Sequence, residues 1–271
     1  MKLCVLGSGS GGNAVLMQVG NTRVLIDAGF GPRTMAKRLL SIGVDPSSIE
    51  AVVVTHEHVD HVRGAAAGSA RWGWRIYATA GTVGASVSLA EAGATTITAS
   101  VPFTIGDMEL SAVPTSHDAD EPVAIVATGT SSGARAAIVY DLGLMSEKLQ
   151  RALDRVDILV LESNHDGEML RSGPYPEMLK RRIAGRHGHL SNRSAGVAAA
   201  RCAHRGLMHL VLAHLSETNN TPEIAFESMR RTLARTSFRG GIIASRQDRP
   251  CRTVSVATRP AFAAVQLSLG I

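Results

Sequence analysis

The strongest constraint in this sequence is a cluster of imidazole and carboxylate side chains that directly follows an apolar run. The run at 51–54 reads Ala-Val-Val-Val, which predicts a short buried strand ending at Thr55. The next six residues are His56-Glu57-His58-Val59-Asp60-His61. Because imidazole and carboxylate groups are the ligands of borderline divalent metals, the sequence predicts a metal site where this strand ends.

The spacing within the cluster excludes the helical HExxH pattern of zinc proteases, because the residue four positions after His56 is Asp60 rather than histidine. His56 and His58 lie two residues apart and can point to the same side of an extended chain. Asp60 and His61 can then turn toward a second ion. A solvated, histidine-rich surface loop is the alternative interpretation, but packing these groups together without metal would be costly.

Composition limits the class of protein. The chain has 271 residues, of which 45% are hydrophobic and 19% charged, as expected of a globular protein. No apolar run reaches the length of a signal-peptide core or a membrane span, so we expect one cytoplasmic domain over residues 1–271 that does not contact membranes. Its three cysteines form no CxxC pair, and the net charge of +5 favours a polyanionic partner such as nucleic acid.

Strands and helices alternate along the whole chain, without a low-complexity linker or a short repeat. The predicted strands are 2–6, 14–19, 23–27, 51–54, 75–79, 96–97, 102–105, 109–114, 123–128, 136–140, 158–161 and 210–213. The predicted helices are 32–42, 62–72, 176–186, 194–204 and 222–235. This pattern indicates an α/β protein in which both halves mix sheet and helix.

The motif His56-x-His58-x-Asp60-His61 resembles the metal-binding motif of the metallo-β-lactamase fold superfamily. The resemblance implies a four-layer αββα sandwich, with two mixed sheets between outer helices, and two divalent ions. It further implies that His117 completes the first site, that Asp141 bridges the two ions and that His214 completes the second site. Each of these three residues follows a predicted strand.

Further motifs resemble the YycJ or WalJ group of nucleases in that superfamily, from Gly7 to about Pro222. The motifs are Gly7-Ser8-Gly9-Ser10-Gly11-Gly12-Asn13, Glu162-Ser163-Asn164-His165-Asp166, Gly188-His189-Leu190-Ser191-Asn192 and His214-Leu215-Ser216-Glu217-Thr218-Asn219-Asn220. By this resemblance, His189 binds phosphate. Asp27 corresponds to a carboxylate that supports the metal ligands, and a turn-forming role is its alternative.

The ends of these motifs offer polar groups for substrate. Ser191 or Asn192 can cap the helix that follows, and the N–H groups at its start can hold an anion. In the glycine-rich loop, Ser8, Ser10 and Asn13 are candidate substrate contacts. The same loop matches the dinucleotide fingerprint GxGxxG by letter, but the segment after it is too short for the helix that fingerprint requires.

The roles of Asn164, His165 and Asp166 remain open between structural contacts near the site and contact with substrate. The resemblance to nucleases does not decide between the two.

The expected chemistry is hydrolysis. Two divalent ions about 3.5 to 4 Å apart would lower the pKa of a bridging water from 15.7 toward ~7. The leading hypothesis is phosphodiester hydrolysis in nucleic acid by an exonuclease, with DNA favoured over RNA. Asp60 and Asp141 would hold the ions, and His189 would stabilise or protonate a phosphate oxygen.

Two rival functions share the same ligand set. One is hydrolysis of a small thioester, lactone or β-lactam, and the other is a binding protein with structural or sensory metals. The ligand chemistry suits Zn²⁺ or Mn²⁺ and tolerates Fe²⁺. The native metal, the choice of DNA or RNA, exonuclease or endonuclease action and the oligomeric state are left open by the sequence.

Overall fold

The computed structural model describes residues 1–257, in which the strands form two seven-stranded sheets. The domain predicted over 1–271 therefore ends in residues, 258–271, that lie outside the described part. In both sheets, the side chains on the two faces of the strands are largely buried, as in a layered α/β protein.

The first sheet has the strand order β14-β1-β2-β3-β4-β5-β6. Its strands are β1 (Lys2–Gly7), β2 (Ala14–Val19), β3 (Thr22–Ile26), β4 (Ala51–Val53), β5 (Arg75–Thr79), β6 (Thr95–Ile97) and β14 (Val254–Ser255). Strands β14, β1, β2 and β3 pair antiparallel, whereas β3 to β6 run parallel. The sheet is therefore mixed.

The second sheet repeats this arrangement with the order β13-β12-β11-β10-β9-β8-β7. Its strands are β7 (Phe103–Ile105), β8 (Met108–Pro114), β9 (Val123–Gly129), β10 (Arg135–Val139), β11 (Ile158–Glu162), β12 (His209–Ala213) and β13 (Gly241–Ala244). Strands β7 to β10 pair antiparallel and β10 to β13 pair parallel. The carboxyl ends of β10, β11 and β12 consequently meet at one edge.

Helices connect the parallel strands. They are α1 (Pro32–Ser41), α2 (Val59–Val62), α3 (Ala65–Trp72), α4 (Ala80–Ala85), α5 (Val87–Glu91), α6 (Glu147–Ala152), α7 (Gly167–Ser172), α8 (Glu177–Ile183), α9 (Asn192–Cys202) and α10 (Pro222–Leu233). Within the described residues, no helix has both the length and the hydropathy that a membrane span needs.

Three apolar clusters define four layers. Inward side chains such as Val5 of β1 and Val160 of β11 fill the space between the sheets. The outer face of the first sheet packs on α1, for example through Leu39. The outer face of the second packs on α9 and α10, for example through Ala199 and Met229. The predicted αββα sandwich is thus confirmed.

The helix predicted over 62–72 differs from the structure, which has two helices, α2 and α3, separated by Gly64. The Gly64 N–H donates to the Ala28 carbonyl at 2.7 Å. A Cβ atom at Gly64 would lie 2.2 Å from the Phe30 carbonyl oxygen. The break therefore lets the loop after β3 approach α2, which carries two of the predicted ligands.

Candidate metal centre

The predicted ligands lie where strands of both sheets end. His56 and His58 follow β4, while Asp60 and His61 belong to α2, whose N-cap is His58. His117 follows β8. Strand ends of a packed sheet fix the backbone from which these side chains project.

Two more predicted ligands come from parallel strands of the second sheet, Asp141 just beyond β10 and His214 directly after β12. Asp27 occupies the equivalent place after β3. All three have positive φ angles, of 60° at Asp27, 54° at Asp141 and 52° at His214. Such angles are uncommon for residues other than glycine, and their concentration around one centre is typical of functional sites.

The structure brings all seven predicted ligands into adjoining groups whose ligand atoms lie within 4.8 Å of one another. The groups are His56, His58 and His117; Asp60, His61 and His214; His56, His61 and Asp141; and Asp141, Glu162, His189 and His214. Asp141 therefore lies between the first two groups. This arrangement can hold two ions side by side with one shared carboxylate.

Hydrogen bonds to the far ring nitrogens leave the near ones free for metal. Thr55 Oγ1 donates to Asp27 and lies 3.0 Å from His56 Nδ1, so His56 Nδ1 is the donor to Thr55. His56 Nε2 is then unprotonated, and it is buried without a hydrogen-bond partner among residues 1–257. His214 Nε2 is likewise buried without one in the described chain. Buried imidazole nitrogens without a hydrogen bond are the donors that a divalent ion requires, and His214 Nε2 lies 3.6 Å from Oδ2 of Asp60, another predicted ligand.

The rings of His117 and His61 also lie close to other predicted ligands. His117 Nδ1 lies 3.3 Å from the Gly188 carbonyl oxygen, and His117 Nε2 lies 3.3 Å from His58 Nδ1. His61 Nε2 lies 2.8 Å from Asp141 Oδ2 and 3.4 Å from Asp60 Oδ2. The chemistry of this donor set fits divalent metal ions.

The predicted ligands combine positive and negative groups at close range. Burial disfavours the charged ring of His61, but Asp27 and Asp141 outweigh burial and raise its pKa well above the usual value. Burial acts in the same direction on His214, and its carboxylate neighbours, Asp141 above all, raise its pKa to about 10. Burial lowers the pKa of His56 well below the usual value. The carboxylates that favour a proton on His61 and His214 would likewise favour a divalent cation beside these rings.

Asp27 contacts His61, a member of the second group of predicted ligands, on the side of the ring away from the centre. Its carboxylate is fully buried and accepts bonds from Thr55 N at 2.8 Å, Thr55 Oγ1 at 2.9 Å and Tyr140 Oη at 2.6 Å. His61 Nδ1 lies 2.7 Å from Asp27 Oδ2. These contacts orient the His61 ring so that Nε2 faces the centre.

Glu162, the last residue of β11, is a central residue that sequence reasoning did not single out. It is fully buried, and its Oε1 lies 2.7 Å from His189 Nδ1 and 3.2 Å from His214 Nδ1. Its Oε2 accepts from Leu190 N at 2.9 Å and Leu142 N at 3.3 Å. Its position at a strand end, like that of the predicted ligands, was the available signal.

His189 lines the open pocket beside the metal groups. Burial opposes its protonation, but Glu162 outweighs burial and raises the pKa of His189. The ring centroid lies 5.2 Å from that of His117 and 5.1 Å from that of His214. No hydrogen bond to His189 Nε2 is formed by the described residues, so this nitrogen can meet a substrate.

The polar residues of the glycine-rich loop are placed differently from one another. Ser8 and Asn13 are buried, and Ser8 Oγ accepts from His214 N at 2.8 Å and donates to Asn13 Oδ1 at 2.7 Å. Asn13 Nδ2 donates to Asp60 Oδ2 at 3.1 Å. Ser10 lines the open pocket instead. Ser8 and Asn13 thus contact the predicted ligands, whereas Ser10 is exposed at the pocket.

The other predicted contacts mostly shape the loops around the site. Ser191 caps α9 by accepting from Ser194 N, while the buried Asn192 side chain accepts from Ser163 Oγ at 2.6 Å. Asn164 Nδ2 donates to the His214 carbonyl at 2.9 Å. His165 is buried and Asp166 caps α7. Asn164 therefore has a structural contact to a predicted ligand.

The pocket above the metal groups has a volume of about 220 Å³ and a mixed lining. Five of the predicted metal ligands line it together with His189, Arg182 and Asp118. The Arg182 guanidinium donates to Asp118, with Nε at 2.9 Å from Oδ2. A cationic group thus lies within the pocket, near the predicted metal ligands.

Comparison with known proteins places this architecture in a family. The β-lactamase superfamily domain matches residues 22–215. The chain is 32% identical over 246 residues to exodeoxyribonuclease YycJ of Bacillus anthracis, covering 88% of this chain and 91% of the relative. It is 30% identical over 247 residues to exodeoxyribonuclease WalJ of Streptococcus pneumoniae, with 89% and 91% covered.

A solved structure agrees on the fold. The metallo-β-lactamase fold protein YhfI from Bacillus subtilis superposes with a TM-score of 0.69 at 17% identity, covering 92% of this chain and 98% of that one. The resemblance inferred from the sequence motifs is confirmed. The chain belongs to the β-lactamase superfamily domain family, in the group that contains YycJ and WalJ.

Proposed function

We propose that this protein is a metal-dependent nuclease that removes nucleotides from an end of DNA. The observation that carries the proposal is the convergence of seven predicted metal ligands, five of which line a pocket that also presents His189 and Arg182. Relatives of nearly the same length bear the name exodeoxyribonuclease. The basic balance of the chain, with a net charge of +5, agrees with a polyanionic substrate.

The ligands divide into two sites. His56, His58 and His117 would hold one divalent ion, the group of Asp60, His61 and His214 would hold the other, and Asp141 would contact both. Bound there, Zn²⁺ or Mn²⁺ would acidify water and withdraw charge from a phosphate oxygen. The side chains of this chain hold the charges in place before substrate arrives, which is the arrangement that lowers an electrostatic barrier.

His189 supplies a proton on the substrate side. Because Glu162 accepts from Nδ1 and raises the pKa of the ring, His189 keeps its proton to higher pH than a free histidine. Its Nε2 can then donate to a phosphate oxygen. Transfer of a proton to the departing oxygen by such a group accelerates cleavage by about 10²- to 10⁴-fold.

Arg182 supplies fixed positive charge at the pocket. Its guanidinium pairs with Asp118, which adjoins His117, and it remains largely exposed. A phosphate entering the pocket can take a bond from this guanidinium, because arginine donates through several N–H groups at once.

The test uses purified protein with added Mn²⁺ or Zn²⁺ and DNA labelled at either end, beside RNA of the same sequence and a closed circle of single-stranded DNA. We expect stepwise release of nucleotides from linear DNA and resistance of the circle. Absence of cleavage with both metals, together with turnover of a thioester or lactam, would contradict the proposal.

A matched pair of variants separates chemistry from folding. His189→Ala should lower the rate on DNA by about 10²-fold or more. His209→Ala is the control, because His209 begins β12 at the end of the strand opposite His214. A nuclease rate that is equal in the two variants would contradict the role given to His189.

A further inference from the structure

A second groove lies beside the metal pocket, between the loop 143–145 and the exposed face of α9. It has a volume of about 280 Å³ and contains Leu144, Met145, Val197, Arg193 and Arg201 in its lining. Leu144 is 40% exposed and Val197 is 51% exposed. Apolar side chains between arginines can pack on a flat apolar group while the arginines pair with the negative charges beside it.

The groove and the metal pocket are lined by neighbouring residues of the same two chain segments. Asp141 lines the pocket and the loop two residues later lines the groove; Gly188 and His189 line the pocket, and Leu190 lines the groove. Both walls are attached to one carboxylate, because Glu162 Oε2 accepts from Leu142 N and Leu190 N. Gly143 of the groove lies two residues beyond Asp141 of the pocket, and two residues span at most about 7 Å, so a strand held at the metal pocket can reach the groove.

The α9 wall presents a regular row of side chains. Arg193, Val197 and Arg201 follow one another at intervals of four residues, and all three are exposed. At 1.5 Å per residue, the two arginines lie roughly 12 Å apart along the helix. Such a row offers cationic groups on both sides of an apolar contact.

The charge of the row is available to an anion. Within residues 1–257, Arg193 makes no ion pair. Arg201 lies 3.7 Å from Glu147, and both side chains are mostly exposed. A surface pair of this kind contributes little free energy, so a phosphate can replace Glu147 at small cost.

We propose that this groove binds the nucleotide next to the cleaved linkage on a single DNA strand. Its base packs on Leu144 and Val197, and its phosphates pair with Arg193 and Arg201. Apolar side chains hold unstacked bases in enzymes that act on single strands, and arginine neutralises the backbone. The inference rests on the proposed nuclease function and adds a second contact region to it.

The first test measures binding of an oligothymidylate with phosphorothioate linkages, which slow its cleavage, at several salt concentrations. The variant Arg193→Gln/Arg201→Gln should lower the slope of log affinity against log salt by about 1.4, since each lost phosphate contact on a single strand contributes ~0.7. The control is Arg235→Gln. Arg235 is exposed and lies between α10 and β13, at the end of the second sheet opposite His214. This control should keep the wild-type slope.

The second test compares substrates of two, three and four nucleotides. In the wild type, KM should fall as the strand grows long enough to reach the groove. In the double variant, KM should not fall with length, and its KM for the tetranucleotide should be about tenfold higher than that of the wild type. Cross-linking with a single 4-thiothymidine should label peptides containing Leu144 or Val197 from the position next to the cleaved linkage.

The outcomes separate the two proposals. Wild-type protein that degrades DNA while the double variant keeps both the salt slope and the length dependence would overturn the groove and leave the nuclease function standing. Wild-type protein that neither binds nor cleaves DNA would overturn the nuclease function, and the groove with it.

Discussion

Glu162 Oε1 lies 2.7 Å from Nδ1 of His189 and 3.2 Å from Nδ1 of His214, so one buried carboxylate contacts both a predicted ligand and the residue that faces substrate. Its second oxygen accepts from two backbone N–H groups. Glu162 therefore positions His189 rather than meeting substrate itself. This relationship makes several parts of the account testable.

Replacing the carboxylate removes the charge that favours protonated His189. Glu162→Gln should lower kcat on DNA by about 10- to 100-fold, the range found for residues that orient metal-site histidines. Because Glu162 raises the pKa of His189, its loss should move the alkaline limb of the kcat profile to lower pH. The control is Glu168→Gln, an exposed residue of α7. A profile unchanged in shape would contradict the positioning role.

Removing the charge of Asp27 should weaken metal binding by the group of Asp60, His61 and His214. Asp27→Asn places an amide where four donors converge, and His61 loses the carboxylate that orients it. We expect metal affinity to fall by about 10- to 100-fold. Tyr140→Phe removes only one of the donors and should cost ~1 kcal/mol of stability. Metal titration and thermal unfolding measure the two effects, and equal metal affinity in wild type and Asp27→Asn would contradict this role.

Metal binding should release protons. In the metal-free protein the pKa of His214 is about 10 and that of His61 is well above its usual value, so both rings are charged at neutral pH. Because a metal needs the neutral ring, affinity should rise as pH increases toward these pKa values, and binding at pH 7 should release protons. Calorimetry in buffers of different ionisation enthalpy counts these protons. Release of none would contradict the assignment of these rings as ligands.

The shared carboxylate should couple the two sites. Asp141 lies among the ligand atoms of both groups, and its burial is offset by His214 and His61, which lower its pKa well below the usual value. Asp141→Asn should reduce bound metal from about two ions per chain to one or none and abolish cleavage, since a neutral amide binds divalent ions weakly. Metal analysis after dialysis tests this, with Asp154→Asn, an exposed residue beyond α6, as the control. Two ions retained in Asp141→Asn would contradict the coupling.

Much of the fold could be predicted because its strands are apolar on both faces. Strand β5 has the predicted bounds, and β8 and β9 differ by one residue at one end. Helices α4 and α5 were missed, because the segments Ala80–Ala85 and Val87–Glu91 are short and lack a clear apolar stripe. Strand β14 has two residues and depends on pairing with β1. Such pairing is a tertiary effect that no local pattern reports.

The ligand set came from a different source. His117, Asp141 and His214 were assigned through the resemblance to the metallo-β-lactamase fold superfamily, and each follows a predicted strand. Glu162 was given no role of its own, although it directly follows the predicted strand 158–161, because its partners Leu142 and Leu190 are distant in sequence. Likewise, the orientation of Asn192 toward Ser163 could come only from the packing of loops.

The central claim is that seven side chains hold two adjacent divalent ions. Anomalous scattering from crystals grown with Zn²⁺ tests it most directly. The account predicts two peaks, one among His56, His58 and His117 and one among Asp60, His61 and His214, both in reach of Asp141. Absence of peaks at these ligands, or ions found only on the protein surface, would contradict it.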